Sequence, residues 1–181
     1  MSILTDQGYI ISKKEISEQK LKEIKSELKV KPFIRGARAR FTKSFKIYLE
    51  NDKKICIPKF YGLKKLGKPK KIELLPGKDI KLTFSGNMRD YQINLIEKII
   101  PNILNQEGGI ISLPPGRGKT VIALNILSRI KKKTLVIVHK TFLLNQWDQR
   151  IKQFLPNAKV GIIQGPVVDI EDKDIVIGML Q

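Results

Sequence analysis

A single cysteine, Cys56, stands among 181 residues, so no disulfide can close within the chain and a thiolate zinc site is disfavoured. The thiol reads as a small buried apolar group. Long apolar runs are missing too: none approaches the roughly 20 residues that cross a bilayer. The N-terminus, Met1-Ser2-Ile3-Leu4-Thr5-Asp6, lacks the basic-then-apolar order of a secretion signal. The expectation is a soluble, intracellular protein with no membrane partner. Acidic side chains are the third shortage. Against 35 Lys/Arg there are only 17 Asp/Glu, a formal charge of +18. The imbalance is uneven, with 22 basic and 9 acidic residues in 1–85 but 13 and 8 in 86–181. Such an excess in the first half predicts a polyanionic partner, nucleic acid first among them. The alternative is solvated lysine faces that only maintain solubility.

What is present suffices for a folded α/β chain. At 41% apolar, 181 residues can bury one sizeable core, or a small core and the beginning of a second. Ser12 and Glu15 have capping-box spacing, and Leu21, Ile24 and Leu28 then recur at helical period until Pro32. A basic run follows, Arg35-Gly36-Ala37-Arg38-Ala39-Arg40. Phe45, Ile47 and Leu49 alternate with polar neighbours, Asn51-Asp52 makes a turn, and Ile55-Cys56-Ile57 returns, which predicts a hairpin. Phe60 and Tyr61 sit among Lys59, Lys64 and Lys65, either as base-stacking groups or as core.

From Ile80 onward the pattern alternates between strand and helix. Leu95, Ile96, Ile99, Ile100, Ile103 and Leu104 form one helical stripe. Thr134-Leu135-Val136-Ile137-Val138 is apolar enough for a buried parallel strand. A helix carrying Leu143, Leu144, Trp147, Ile151 and Phe154 comes next, with Trp147 as a core anchor, and then two short apolar runs, Val160–Ile163 and Ile175–Ile177. The predicted fold is α/β: a small basic α+β N-terminal domain, residues 1–82, followed by an incomplete parallel-sheet domain, residues 83–181.

The chemistry concentrates at Leu113-Pro114-Pro115-Gly116-Arg117-Gly118-Lys119-Thr120. An apolar run, Gly109–Leu113, precedes it and a helical pattern, Val121–Ile130, follows, which is the strand, loop and helix order of a phosphate-binding loop. Gly116 and Gly118 let backbone N–H groups turn toward a polyphosphate at the positive end of a helix. Pro115 and Arg117 complete the nucleotide-binding loop, Lys119 reaches the β- and γ-phosphates, and Thr120 offers a hydroxyl to Mg²⁺. Leu113 stands where the first glycine of the usual motif would be, so the match is to a relaxed form. The bland alternative is a glycine turn with a capping threonine.

Two neighbours narrow the reading. Arg89-Asp90-Tyr91-Gln92 opens the preceding helix, and the Gln92 amide can give and accept hydrogen bonds on an adenine edge while Arg89 or Tyr91 stacks on the base. His139, Lys140 and Thr141 follow an apolar strand at the edge where α/β sheets bind ligands. Lys140 and Thr141 suit phosphate contacts. His139, the sole histidine, is either a contact or a local cap.

With these residues in place, the chain resembles the superfamily-two helicases. Residues 86–181 look like the first part of a RecA-like domain, and Leu-Pro-x-Gly-x-Gly-Lys-Thr is similar to the group around the XPB repair and transcription helicase. Lys31-Pro32-Phe33, Ile57–Leu63 and Asp172–Gln181 resemble helicases of large DNA viruses, including the poxvirus transcript-release type. The resemblance implies an ATP- and Mg²⁺-dependent motor on nucleic acid, DNA ahead of RNA, with transcription or repair machinery as a partner and the host cytoplasm or virion as its location. It also implies that Gln92 reads adenine and that the 139–141 loop touches the backbone. The family's Asp-Glu pair after a later strand is not found, since Asp169, Glu171, Asp172 and Asp174 precede the last apolar run. The expectation is therefore an N-terminal piece of a longer enzyme with negligible ATP turnover of its own. Another phosphate-loop enzyme, a nucleotide kinase or GTPase, or a basic module with a vestigial loop, are the alternatives.

Overall fold

The computed structural model describes residues 2–32, 43–106 and 108–180. The basic run 35–40 lies outside the described residues. The chain divides into two compact units, Met1–Pro76 and Gly77–Gln181.

The first unit is a five-stranded sheet with two helices. Strands β1 (Ile3–Thr5) and β2 (Gly8–Ser12) form an antiparallel hairpin that the sequence reading missed, although Asp6-Gln7-Gly8 between two apolar runs is its signal. Strand β3 (Lys29–Val30) follows helix α1 (Glu18–Glu27), and β4 (Phe45–Lys46) pairs with it. The rest of the unit is β5 (Leu49–Glu50), β6 (Lys54–Ile57), α2 (Lys59–Leu66) and β7 (Lys71–Ile72), in the sheet order β5-β6-β2-β1-β7. Leu4, Tyr9 and Ile57 share one cross-strand row. With Ile11 and Ile55 they bury against Ile24 and Leu28, and full burial of one such side chain is worth about 1.5–3 kcal/mol.

Three local expectations change here. Ser12 caps a short 3-10 turn (Lys13–Glu15), and Ser17 caps α1 instead, its Oγ accepting the Lys20 N–H at 3.2 Å. The alternating run 45–50 does not form one strand. Its first half pairs with β3, and only Leu49–Glu50 pairs with β6 to make the expected hairpin. The faces are also the reverse of the apolar pattern, with Phe45, Ile47 and Leu49 exposed and Tyr48 buried against Leu28 and Ile55. Residues 59–66 fold as a helix that buries Gly62 against Tyr9.

The second unit carries α3 (Asp90–Gln106), α4 (Lys119–Ile130), β8 (Thr134–Val138), α5 (Thr141–Phe154), β9 (Val160–Gln164), β10 (Val167–Val168) and β11 (Ile175–Met179). The sheet order is β10-β9-β11-β8, with β8, β11 and β9 parallel. Helix α5 connects β8 to β9, as short apolar strands separated by an amphipathic helix require. Ile80 and Leu82, read from sequence into the N-terminal domain, are buried in this unit's core beside Leu124 and Leu127. The Ile80 N–H bonds to the Lys131 carbonyl, and the Lys133 N–H to that of Lys78.

The expected strand Gly109–Leu113 has no ladder partner and is irregular. An apolar groove of about 360 Å³, lined by Ile111, Leu135, Val136 and Trp147 among others, opens beside it. A strand needs a hydrogen-bonding neighbour, and among the described residues none reaches this one. No helix of the described residues is long and apolar enough to cross a membrane.

Candidate functional site

The loop between Leu113 and α4 is built by its glycines. Gly116 has φ +76° and Gly118 has φ +72° with ψ +37°, left-handed conformations that side chains rarely adopt. Gly118 is doubly constrained, since a Cβ there would stand 2.5 Å from Gln92 Nε2. As the N-cap of α4 it has no side chain to bond the helix start. The first intrahelical bond of α4 runs from the Ile122 N–H to the Gly118 carbonyl, so the N–H groups of Lys119, Thr120 and Val121 come before the ladder begins.

Lys119 folds back over the loop. Its Nζ donates to the carbonyls of Leu113 at 2.9 Å and Pro114 at 3.1 Å. The departure at Leu113 has a structural cause, since its half-buried side chain packs with Ile96, Ile122 and Ile126 and anchors the entry to the loop. These carbonyl acceptors were invisible in the sequence because every residue has one.

Tyr91 and Gln92 are brought against this loop, and Arg89 stands beside Gln92 at the start of α3, bonded to that side chain rather than to the loop itself. Gln92 is 4% exposed, and both ends of its amide are bonded. Oε1 accepts the Arg89 N–H at 3.0 Å, a capping-box bond at the start of α3, and Nε2 donates to the Arg117 carbonyl at 3.2 Å. The Tyr91 hydroxyl donates to the same carbonyl at 2.9 Å, and the Arg117 guanidinium lies 5.5 Å from the Tyr91 ring centroid. Two donors thus converge on one oxygen and fix the loop immediately before Gly118. Arg89, Arg117 and Lys119 are exposed, as is Pro115, and Thr120 is half-buried. The site is cationic and sits at a helix N-terminus, an arrangement that attracts polyanions.

His139 and Lys140 are exposed after β8, and Thr141 opens α5. Lys140 Nζ lies 6.0 Å from the Phe142 ring, and Thr141 Oγ1 donates to Met179 Sδ at 3.7 Å. Trp147 packs against the core of the unit, as expected of an anchor. Asp169 pairs with Lys173, and Asp174 Oδ2 accepts the Lys159 N–H at 2.9 Å, both before β11. Among the described residues no group of three or more His, Cys, Asp and Glu side chains could hold a metal ion.

Residues 85–181 match the family described as "Type III restriction enzyme, res subunit". The chain belongs to that family. Its relatives place the chain with the superfamily-two helicases of the XPB-like group. A protein of Acanthamoeba polyphaga mimivirus, named for an ATP-dependent RNA helicase, is 38% identical over 185 residues, covering 98% of this chain and 35% of the relative. A protein of Invertebrate iridescent virus 3, named for a helicase, is 37% identical over 59% of this chain and 34% of its own length. The DNA 3'-5' translocase XPB2 of Sulfurisphaera tokodaii is 41% identical over 43% of this chain and 17% of the relative. The chain thus spans about a third of the length of these two viral relatives. A solved SWI2/SNF2 ATPase core of Sulfolobus solfataricus in complex with dsDNA matches 58% of this chain and 23% of that one, at 25% identity and a TM-score of 0.44.

Proposed function

We propose that this chain binds Mg²⁺-ATP at Pro115–Thr120 and takes part, within a helicase or translocase, in driving movement along nucleic acid, with DNA as the preferred track. The observation that carries the reading is the Lys119 ammonium, which reaches back across the left-handed Gly116 and Gly118 to two carbonyls at the start of its own loop. A cation held there by weak neutral acceptors is poised for exchange onto a stronger, charged one. Lys119 would leave Leu113 and Pro114 for β- and γ-phosphate oxygens, and the N–H groups of the first turn of α4 would take the remaining charge.

The residues also fit Mg²⁺. Thr120 stands in the first turn of α4, and among the described residues its hydroxyl has no hydrogen-bond partner. The ion would neutralise phosphate charge when bound. Gln92 would hold the loop through Arg117 and offer its second N–H to the base, beside Tyr91 and Arg89. His139, Lys140 and Thr141 would contact the nucleic-acid backbone, with transcription or repair as the setting.

Titration with a fluorescent ATP analogue tests the assignment. Lys119→Ala should weaken binding by at least about tenfold, because each charge-assisted bond contributes on the order of 1.5–3 kcal/mol. Equal affinity in the variant would remove the nucleotide site and favour a vestigial loop. A preference for GTP, or phosphate transfer to a nucleoside monophosphate, would favour another phosphate-loop enzyme.

A further inference from the structure

The β3–β4 ribbon of the first unit holds an electrostatic conflict. Lys29 and Lys46 are direct cross-strand partners, and both are exposed. Like charges directly opposite one another in an antiparallel pair destabilise it. The unit has carboxylates to relieve such a clash, yet they are engaged elsewhere. Glu50 is held by Lys13 and Lys25 at 2.6 and 2.7 Å, and Glu27 by Lys65 at 2.6 Å. Among the described residues neither Lys29 nor Lys46 has an acidic partner, and Lys46 has only the Tyr48 ring, 5.7 Å from its Nζ. The ribbon is firmly placed despite the repulsion, because the Ile47 N–H bonds to the Leu28 carbonyl beside it.

We infer that this ribbon is a second nucleic-acid contact, in which the Lys29–Lys46 pair takes phosphates of a single-stranded backbone. The inference rests on the proposed reading that the chain works on nucleic acid, and it adds a site remote in sequence from the phosphate loop. A bound phosphate between the ammonium groups turns the repulsion into attraction. An exposed ribbon does not enclose a small anion, whereas a polyanion binds an open surface through release of its condensed counterions. Lysines suit this task, since they act as point charges without demanding a fixed geometry.

The test uses the full chain and a fluorescein-labelled single-stranded oligonucleotide, with anisotropy followed across a salt series. Lys29→Gln/Lys46→Gln should lower the magnitude of the log–log salt slope by about 1.4, at roughly 0.7 per phosphate contact, which corresponds to roughly 20-fold weaker binding at 0.1 M salt. A control of equal charge loss, Lys14→Gln/Lys22→Gln, should change the slope little. Lys46→Glu should form a cross-strand ion pair with Lys29 and so keep or raise the melting temperature while weakening oligonucleotide binding, a pairing that a purely structural role would not produce. ATP-analogue affinity should stay at the wild-type value in all three variants. Equal losses in ribbon and control variants, or wild-type binding by the ribbon variant, would overturn the inference and leave the nucleotide reading standing. Absence of salt-dependent binding by the wild-type chain would overturn both this site and the nucleic-acid part of the proposed function.

Discussion

Gly62 in the first unit and Gly118 in the second face the same steric limit: a Cβ at either would stand 2.5 Å from a neighbour, a Tyr9 side-chain carbon in one case and Gln92 Nε2 in the other. The consequences differ. At Gly62 the missing side chain lets α2 lie directly on a buried ring of the sheet, so the glycine serves packing. At Gly118 it permits a left-handed backbone at the start of α4, so the glycine shapes the loop proposed to bind phosphate. The electrostatics follow the same division. In the first unit, ion pairs link elements, with Lys65 of α2 reaching Glu23 and Glu27 of α1. In the second, Arg129 of α4 likewise pairs with Glu97 of α3, while among the described residues Arg117 and Lys119, where the loop meets α4, have no acidic partner.

Substitution at the two glycines tests this contrast most strongly. Gly62→Ala should destabilise the first unit by about 1–3 kcal/mol, the range for forced overpacking of a core, and amide hydrogen exchange in β1, β2 and β6 should quicken. Unchanged exchange there would show that Tyr9 moves aside freely. Gly118→Ala should cost about 1–2 kcal/mol through its left-handed conformation and displace Gln92. Nucleotide-analogue affinity should fall roughly tenfold with little change in circular dichroism, and a normal titration would contradict the crowding at Gln92.

Tyr91→Phe is a finer probe, since it removes one of the two donors to the Arg117 carbonyl and keeps the ring. A single neutral hydrogen bond contributes about 0.5–1.5 kcal/mol, so nucleotide affinity should weaken roughly two- to tenfold. No weakening would leave Gln92 as the sole anchor of the loop.

The smallest effect concerns pH. Hydrogen bonds from Lys13 and then Lys25 hold the Glu50 carboxyl down from 4.5 to about 2. A carboxyl depressed in the folded state contributes stability above its unfolded value and loses it as the pH falls through the folded one. Acid denaturation of the first unit should therefore show a component between about pH 4.5 and 2 that Glu50→Gln removes, and coincident acid profiles would refute it. On the alkaline side, burial and the Glu27 hydrogen bond push the Tyr61 hydroxyl up to about 12, so its absorbance should titrate late.

Much of the second unit was legible because its signals are local. The apolar runs of β8, β9 and β11, the stripe of α3 and the glycine spacing before α4 each follow from period or conformational need within one segment. The first unit was less legible. Residues 45–50 carry an alternating pattern, yet Lys46 and Leu49 belong to different partners, and alternation does not say which strand lies alongside. The site divides in the same way. Lys119 and the glycines could be named from spacing, whereas the bonds from Tyr91 and Gln92 to Arg117 end on a backbone oxygen that no residue type announces.

The sequence alone determined that a helix starts at a lysine and threonine preceded by two glycines, that apolar strands follow it, and that cationic charge collects in the first half of the chain. These are properties of neighbouring residues and of composition, and they hold before the chain meets itself. Only the tertiary structure decided that 109–113 runs without a ladder, that Lys29 faces Lys46, and that Gln92 bonds the Arg117 carbonyl. Each of these depends on which distant backbone comes within hydrogen-bonding reach, a distance of about 3 Å that the order of residues does not encode.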